Sequence, residues 1–196
     1  MLQRGPDAKL PTKYGLFNIT IFRDEHELDH AVLYTGSIDD GEPVLCRIHS
    51  ECLTGDVLGS LRCDCGFQLA AAMAAIAQEG RGVLLYMRQE GRGIGLFNKI
   101  KAYYLQDHGL DTVDANLKLG FPSDARHYGI CAEIMKSLGI GKVILMTNNP
   151  DKIDSLARHG IEVVERRPLE YGRNKYNEGY LDTKALRMGH LLHHQD

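Results

Sequence analysis

A chain of 196 residues with 43% hydrophobic content is long enough to bury a sizeable core, which excludes a disordered tail and a disulfide-stapled miniprotein. Its 23 basic and 26 acidic residues leave a net charge of −3, so the basic excess that general nucleic-acid binding relies on is missing. No apolar run approaches the roughly 20 residues of a membrane span, and the polar opening segment lacks the apolar stretch of a secretory signal; the expectation is a soluble, cytoplasmic protein.

Taken in order, the first third reads as strands. Runs at 16–22, 30–36 and 43–49 are rich in β-branched and aromatic residues, and Asp39-Asp40-Gly41 between the last two predicts a hairpin. The alanine-rich stretch 67–79 carries Leu69, Met73 and Ile76 at helical spacing and stops at Gly80. The fully apolar run 83–87 predicts a buried strand, followed by a glycine-rich loop and a helix over 96–108. A further helix is expected over 125–138, capped by Ser123 or Asp124 and ended by Gly139. Strand 142–146, helix 151–159 and strand 161–165 make a βαβ unit. Beyond Pro168 the chain is polar and rich in Gly, Asn and Tyr, which predicts an irregular tail with a short helix over 183–192. The fold class is mixed α/β or α+β. A mixed sheet, partly barrel-like in its N-terminal part, is flanked by helices, with one domain over 1–170 and a partly mobile tail over 171–196.

Five cysteines without a signal peptide argue against a disulfide framework. Cys46 and Cys131 lie in apolar surroundings and read as core. Cys52, Cys63 and Cys65 crowd into one segment, and thiolates are soft ligands that favour zinc. Three protein ligands leave a position open for water. A closed structural zinc completed by His49, or a redox CxC pair, fits the same spacing. Three thiolates on a dication leave a net charge of about −1 and a weak Lewis acid, which calls for a cationic or acid-base group nearby.

Glu90-Gly91-Arg92-Gly93-Ile94-Gly95 stands between a predicted strand and a predicted helix. Its glycines allow backbone N–H groups to approach phosphates, and Arg92 adds a planar fork, although a glycine-rich loop is also a common turn. No Walker A sequence occurs, and the glycine spacing does not match a dinucleotide fingerprint.

The stretch Arg47-Ile48-His49-Ser50-Glu51-Cys52-Leu53-Thr54-Gly55-Asp56, running into Leu61-Arg62-Cys63-Asp64-Cys65-Gly66, closely resembles the signature of GTP cyclohydrolase II. So do Arg88-Gln89-Glu90-Gly91-Arg92-Gly93-Ile94-Gly95 with Asn98-Lys99, then Asp111-Thr112-Val113, Leu119-Gly120, Leu145-Met146-Thr147-Asn148-Asn149-Pro150 and Lys152. The resemblance implies a homodimeric enzyme of riboflavin synthesis. It would convert GTP, as its magnesium complex, to 2,5-diamino-6-(5-phospho-ribosylamino)pyrimidin-4(3H)-one, releasing formate and pyrophosphate. It implies zinc on Cys52, Cys63 and Cys65. It implies GTP contacts at Arg47, Ile48, His49, Ser50, Glu51, Gln68, Glu90, Gly91, Arg92, Thr112, Thr147 and Lys152. Asp124 would be a proton acceptor and Arg126 a nucleophile, with Tyr103 near the reacting base.

The residues alone allow plainer roles. Asp124 fits a helix cap, Gln68 a solvent-facing helix position, Thr147 and Lys152 ordinary helix-start polarity, and Tyr103 a core aromatic. A guanidine with a pKa above about 12 is scarcely nucleophilic at neutral pH, so Arg126 also fits as a charge stabiliser. A larger polar residue would be expected at Gly93. The alternative function is a zinc-stabilised guanine-nucleotide-binding regulator without turnover.

Overall fold

The computed structural model of the chain describes residues 2–122 and 124–192. These fall into two compact units: 2–49, 70–88 and 128–169 form the first, and 50–69, 89–127 and 170–192 the second. The strands among them are β1 (Gln3–Arg4), β2 (Ala8–Thr12), β3 (Gly15–Arg23), β4 (Asp29–Thr35), β5 (Val44–Ser50), β6 (Gly82–Met87), β7 (Lys142–Met146) and β8 (Glu162–Arg167). The helices are α1 (Leu53–Asp56), α2 (Cys65–Glu79), α3 (Gly95–Asp107), α4 (Thr112–Lys118), α5 (Gly129–Ser137), α6 (Pro150–Arg158) and α7 (Glu178–Met188).

The first unit is built on one mixed sheet in the order β1-β3-β4-β6-β5-β7-β8, with β2 also paired to β3. Pairing is antiparallel through β3, β4 and β6 and parallel through β5, β7 and β8. The mixed α/β class expected from the sequence is therefore found. The βαβ unit is also present: β7 and β8 pair in parallel across α6, which opens on an Asn149 cap and Pro150 at its first turn.

Strand β6 shows why the run 83–87 is apolar throughout. Val83, Leu85 and Met87 join a core with Ile134 and Met135 of α5 and Leu156 of α6. Alternate residues face the other side of the sheet. There Gly82 lies against Ile76 of α2, so closely that a Cβ would sit 2.8 Å from the Ile76 side chain and 2.9 Å from the Leu45 carbonyl.

Several expectations are corrected. The hairpin across Asp39-Asp40-Gly41 does not form, because β6 inserts between β4 and β5. Asp40 is instead gripped at 2.5 Å by both terminal nitrogens of Arg81, the residue before β6. The helix expected from 125 begins only at Gly129, so Asp124 caps no helix; Ser123 lies outside the described residues. Strands β1 and β2 and helix α4 were not foreseen, and α7 starts earlier than the 183–192 expectation.

The tightness at Gly82 makes a direct test. Gly82→Ala should destabilise the protein by about 1–3 kcal/mol, the usual cost of overpacking a core. A urea midpoint unchanged from wild type would show that the α2 face of β6 is looser than described.

Candidate active site

The second unit holds an open cleft. Cys52, Cys63 and Cys65 line it, and their sulfurs lie within 4.8 Å of one another. The Cys52 and Cys63 sulfurs are 3.7 Å apart, close to the roughly 3.8 Å that two sulfurs adopt on a tetrahedral zinc. His49 is not part of this group; in the first unit its ring stacks on Tyr86 at 5.5 Å.

Two glycines permit the crowding. A Cβ on Gly55 would stand 2.8 Å from the Cys63 sulfur and 3.2 Å from that of Cys52, and a Cβ on Gly66 would stand 2.2 Å from the Gly55 carbonyl. Cys52 is the sulfur that ionises first. Hydrogen bonds from the Cys63 and Cys65 thiols pull it down, burial opposes them, and the Lys99 ammonium adds to the pull. Cys63 and Cys65 are pushed up, chiefly by their bonds to Cys52. A metal dication would displace those two protons, as thiolate ligation requires.

Lys99 is the cation that three sulfurs call for, and sequence reasoning missed it. It is buried, donates to the Cys52 sulfur at 3.1 Å and to Glu90 Oε1 at 2.8 Å. Burial lowers its pKa, but Glu90 and the anionic neighbours raise it further, so it stays charged. The available signal was its place four residues before Tyr103, on one face of α3. Tyr103 lines the cleft, with its hydroxyl 3.3 Å from that of Thr54 and Arg62 over its ring at 4.4 Å. Burial pushes the Tyr103 hydroxyl up to about 12, so it is a neutral donor.

The glycine-rich loop enters as a tight left-handed turn at Glu90–Gly93, opened by Gly91 at φ +64°. Glu90 is occupied internally: Oε1 also accepts from the Gly91 N–H at 2.8 Å, and Oε2 from the Leu53 N–H at 2.7 Å. Arg92 has φ +62°, a left-handed conformation costly for a residue with a side chain, and such strain collects at functional sites. Gly93 has φ +90°, and a Cβ there would approach the Ala125 backbone to 3.2 Å. A side chain at Gly93 would thus be strained by the backbone conformation and crowded against Ala125.

Arg126 lines the same cleft, and Asp124 holds it. The Arg126 Nε donates to both carboxylate oxygens at 2.9 and 3.1 Å, Nη2 donates to one of them at 2.5 Å, the backbone N–H adds a fourth bond at 3.0 Å, and Nη1 reaches Ser50 Oγ at 3.3 Å. Burial raises the Asp124 pKa, but the Arg126 guanidinium more than offsets it, and the carboxyl ends below its ordinary value. Glu51 and Thr112 also line the cleft, Thr112 from the first turn of α4. Gln68 does not line it; its amide donates to Asp64 at 2.5 Å, between two of the cysteines.

The remaining expected residues belong to the first unit, at the C-terminal ends of β5 and β7. Arg47 donates to the Met146 carbonyl at 2.9 Å and Lys152 to the Ile48 carbonyl at 2.8 Å, both largely buried. Thr147 Oγ accepts from the Asn149 N–H at 3.1 Å. The Ile48 side chain is fully buried in the core, which leaves only its backbone for any other contact.

Fold and site together define a mixed α/β protein in which three clustered thiols that could hold a metal ion share a cleft with a glycine-rich loop and the side chains of Arg92 and Arg126. The GTP cyclohydrolase II family model matches residues 3–168. The chain is 57% identical over its whole length to a GTP cyclohydrolase-2 from Actinobacillus succinogenes, covering 90% of that protein. It is 56% identical to one from Histophilus somni, covering 91% of it, and 57% identical to one from Pasteurella multocida, where 98% of this chain aligns with 89% of the relative. The chain belongs to the GTP cyclohydrolase II family, a family of hydrolases. Among solved structures it is similar in fold to RibBX, a two-domain 3,4-dihydroxy-2-butanone 4-phosphate synthase from A. baumannii. That match has a TM-score of 0.51 and 18% identity, and covers 87% of this chain and 40% of that one.

Gly55→Ala tests the thiol geometry without touching a sulfur. It should abolish stoichiometric metal uptake while the far-ultraviolet circular dichroism stays that of wild type. Full metal content in the variant would mean that the sulfurs are not held as closely as 3.7 Å.

Proposed function

We propose that this chain hydrolyses GTP, opening the guanine imidazole ring and releasing formate and pyrophosphate, as the first step of riboflavin biosynthesis. The observation that carries this reading is the set of three sulfurs within 4.8 Å of one another in a cleft also lined by Arg92 and Arg126. One part of the site suits a metal and the other suits a polyanion.

Cys52, Cys63 and Cys65 would hold the zinc, which when bound supplies a Lewis acid to activate water for attack on the ring. Lys99 offsets the excess negative charge of the sulfurs. Tyr103, neutral at working pH, offers a proton donor to the opening ring. Arg92 and the N–H groups of the loop leading into α3 receive phosphate oxygens, with magnesium accompanying the triphosphate. Arg126, gripped by an ionised Asp124, keeps its proton; that pairing favours stabilising charge on the α-phosphate over acting as a nucleophile. Ser50, Glu51, Glu90, Gly91 and Thr112 border the bound substrate, and Gln68 holds Asp64 between two of the cysteines. For Arg47, His49, Thr147 and Lys152 support comes from their place at strand ends where α/β folds commonly receive ligands. Ile48 would take part through its backbone.

No helix of the described residues is long and apolar enough to cross a membrane, and all five cysteines are free thiols, which suits the cytoplasm. Leu96, Phe97, Ile100 and Tyr104 form an exposed apolar row on α3 that supports a homodimer.

Incubation with GTP should yield both formate and pyrophosphate, with about one zinc per chain. Cys52→Ser should bring formate to background while some pyrophosphate release survives; full formate production would remove zinc from the reaction. Arg126→Ala should cut pyrophosphate release by about 100-fold or more with the fold intact, and a normal rate would remove Arg126 from it. Sedimentation should give twice the chain mass, and Phe97→Glu should reduce it to a monomer. A wild-type monomer at micromolar concentration would exclude the homodimer.

A further inference from the structure

One face of α7 touches three segments that carry cleft residues. Tyr180, Lys184 and Arg187 stand at i, i+4 and i+7, the spacing of a single helix face. Tyr180 lines the cleft, and the Arg92 guanidinium lies 5.6 Å from its ring centre. Arg187 pairs with Asp111 and, at 3.0 Å, with Asp114, at the start of the helix that presents Thr112. Lys184 is buried and donates to Asp64 Oδ1 at 2.8 Å. The helix has its own anchor in Asn177, fully buried, which accepts from the Asn174 N–H and donates to the Gly172 carbonyl. The α7 residues lie beyond residue 168, where the family model's match ends, though within the full-length match to the relatives.

Asp64 sits between Cys63 and Cys65 and is 3% exposed. Its carboxylate is held from two sides, by Lys184 on one oxygen and Gln68 on the other. Removing one member of a buried ion pair leaves the other as an uncompensated charge. A carboxylate so stranded turns toward water, and here it would carry the two flanking sulfurs with it.

We propose that Lys184 is a positioning residue of the metal site: from α7 it fixes Asp64, and through Asp64 the placement of the Cys63 and Cys65 sulfurs. This rests on the zinc reading above, but the contact itself exists without metal, which separates the two in experiment. Lys184→Met should lose zinc to a chelator at least about tenfold faster than wild type, the scale of outer partners of metal ligands. Asp64→Asn should do the same, and the double variant should be no faster than either single one, because both remove one contact. Lys184→Arg keeps a cation in place and should restore most of the retention, and it carries the test should the Met variant fold poorly. In metal-free protein, amide exchange over residues 65–69 should quicken by about tenfold in Lys184→Met. Zinc loss and exchange both within twofold of wild type, or effects of the two single variants that multiply, would overturn the proposal. Folded wild type that takes up no zinc would sink the metal reading alone, and the amide exchange would still decide the role of Lys184.

Discussion

Three sulfurs cannot share a pocket as anions without positive charge among them, and the second unit is arranged around that constraint. Lys99 stands against Cys52 and Lys184 against Asp64, the residue between the other two cysteines. Both ammonium groups are largely out of water, where an unpaired charge is costly and a paired one is held firmly. Gly55 and Gly66 supply the room. Sulfurs, cations and glycines form one device, in which electrostatics demands the lysines and sterics demands the glycines.

Much of the fold was legible because it is written in local periodicity. The helical spacing of Met73 and Ile76 and the unbroken apolar run of β6 each state an environment that the sheet supplies on both faces. The failed hairpin marks the limit of that reading. Turn residues between β4 and β5 report a reversal of the chain but not which strand comes to lie alongside, and β6, from far along the sequence, takes the place. Asp124 shows the same limit at the scale of one side chain. A cap and an arginine clamp use the same short acidic residue, and only the late start of α5 distinguishes them.

The candidate site was legible where the motif residues themselves line the cleft, as Cys52, Cys63, Cys65, Arg92 and Arg126 do. It was illegible where a residue acts through another. Lys99 stands in a motif whose spacing does not announce its contact with Cys52, and Lys184 lies 120 positions from its partner. Glu90 carries a second task that the pattern does not show: besides lining the cleft, its oxygens accept from Lys99, Gly91 and Leu53. Gly93 was the residue that pattern alone could not justify, and backbone conformation and the Ala125 carbonyl account for it.

Glu90 therefore works as a rivet. One oxygen clasps the ammonium that touches Cys52 and the amide that begins the left-handed turn, while the other clasps the amide next to Cys52 in the chain. The loop suited to anions and the loop that carries the first sulfur are joined through a single rigid carboxyl plane. A push on either is felt by the other over one side chain's length.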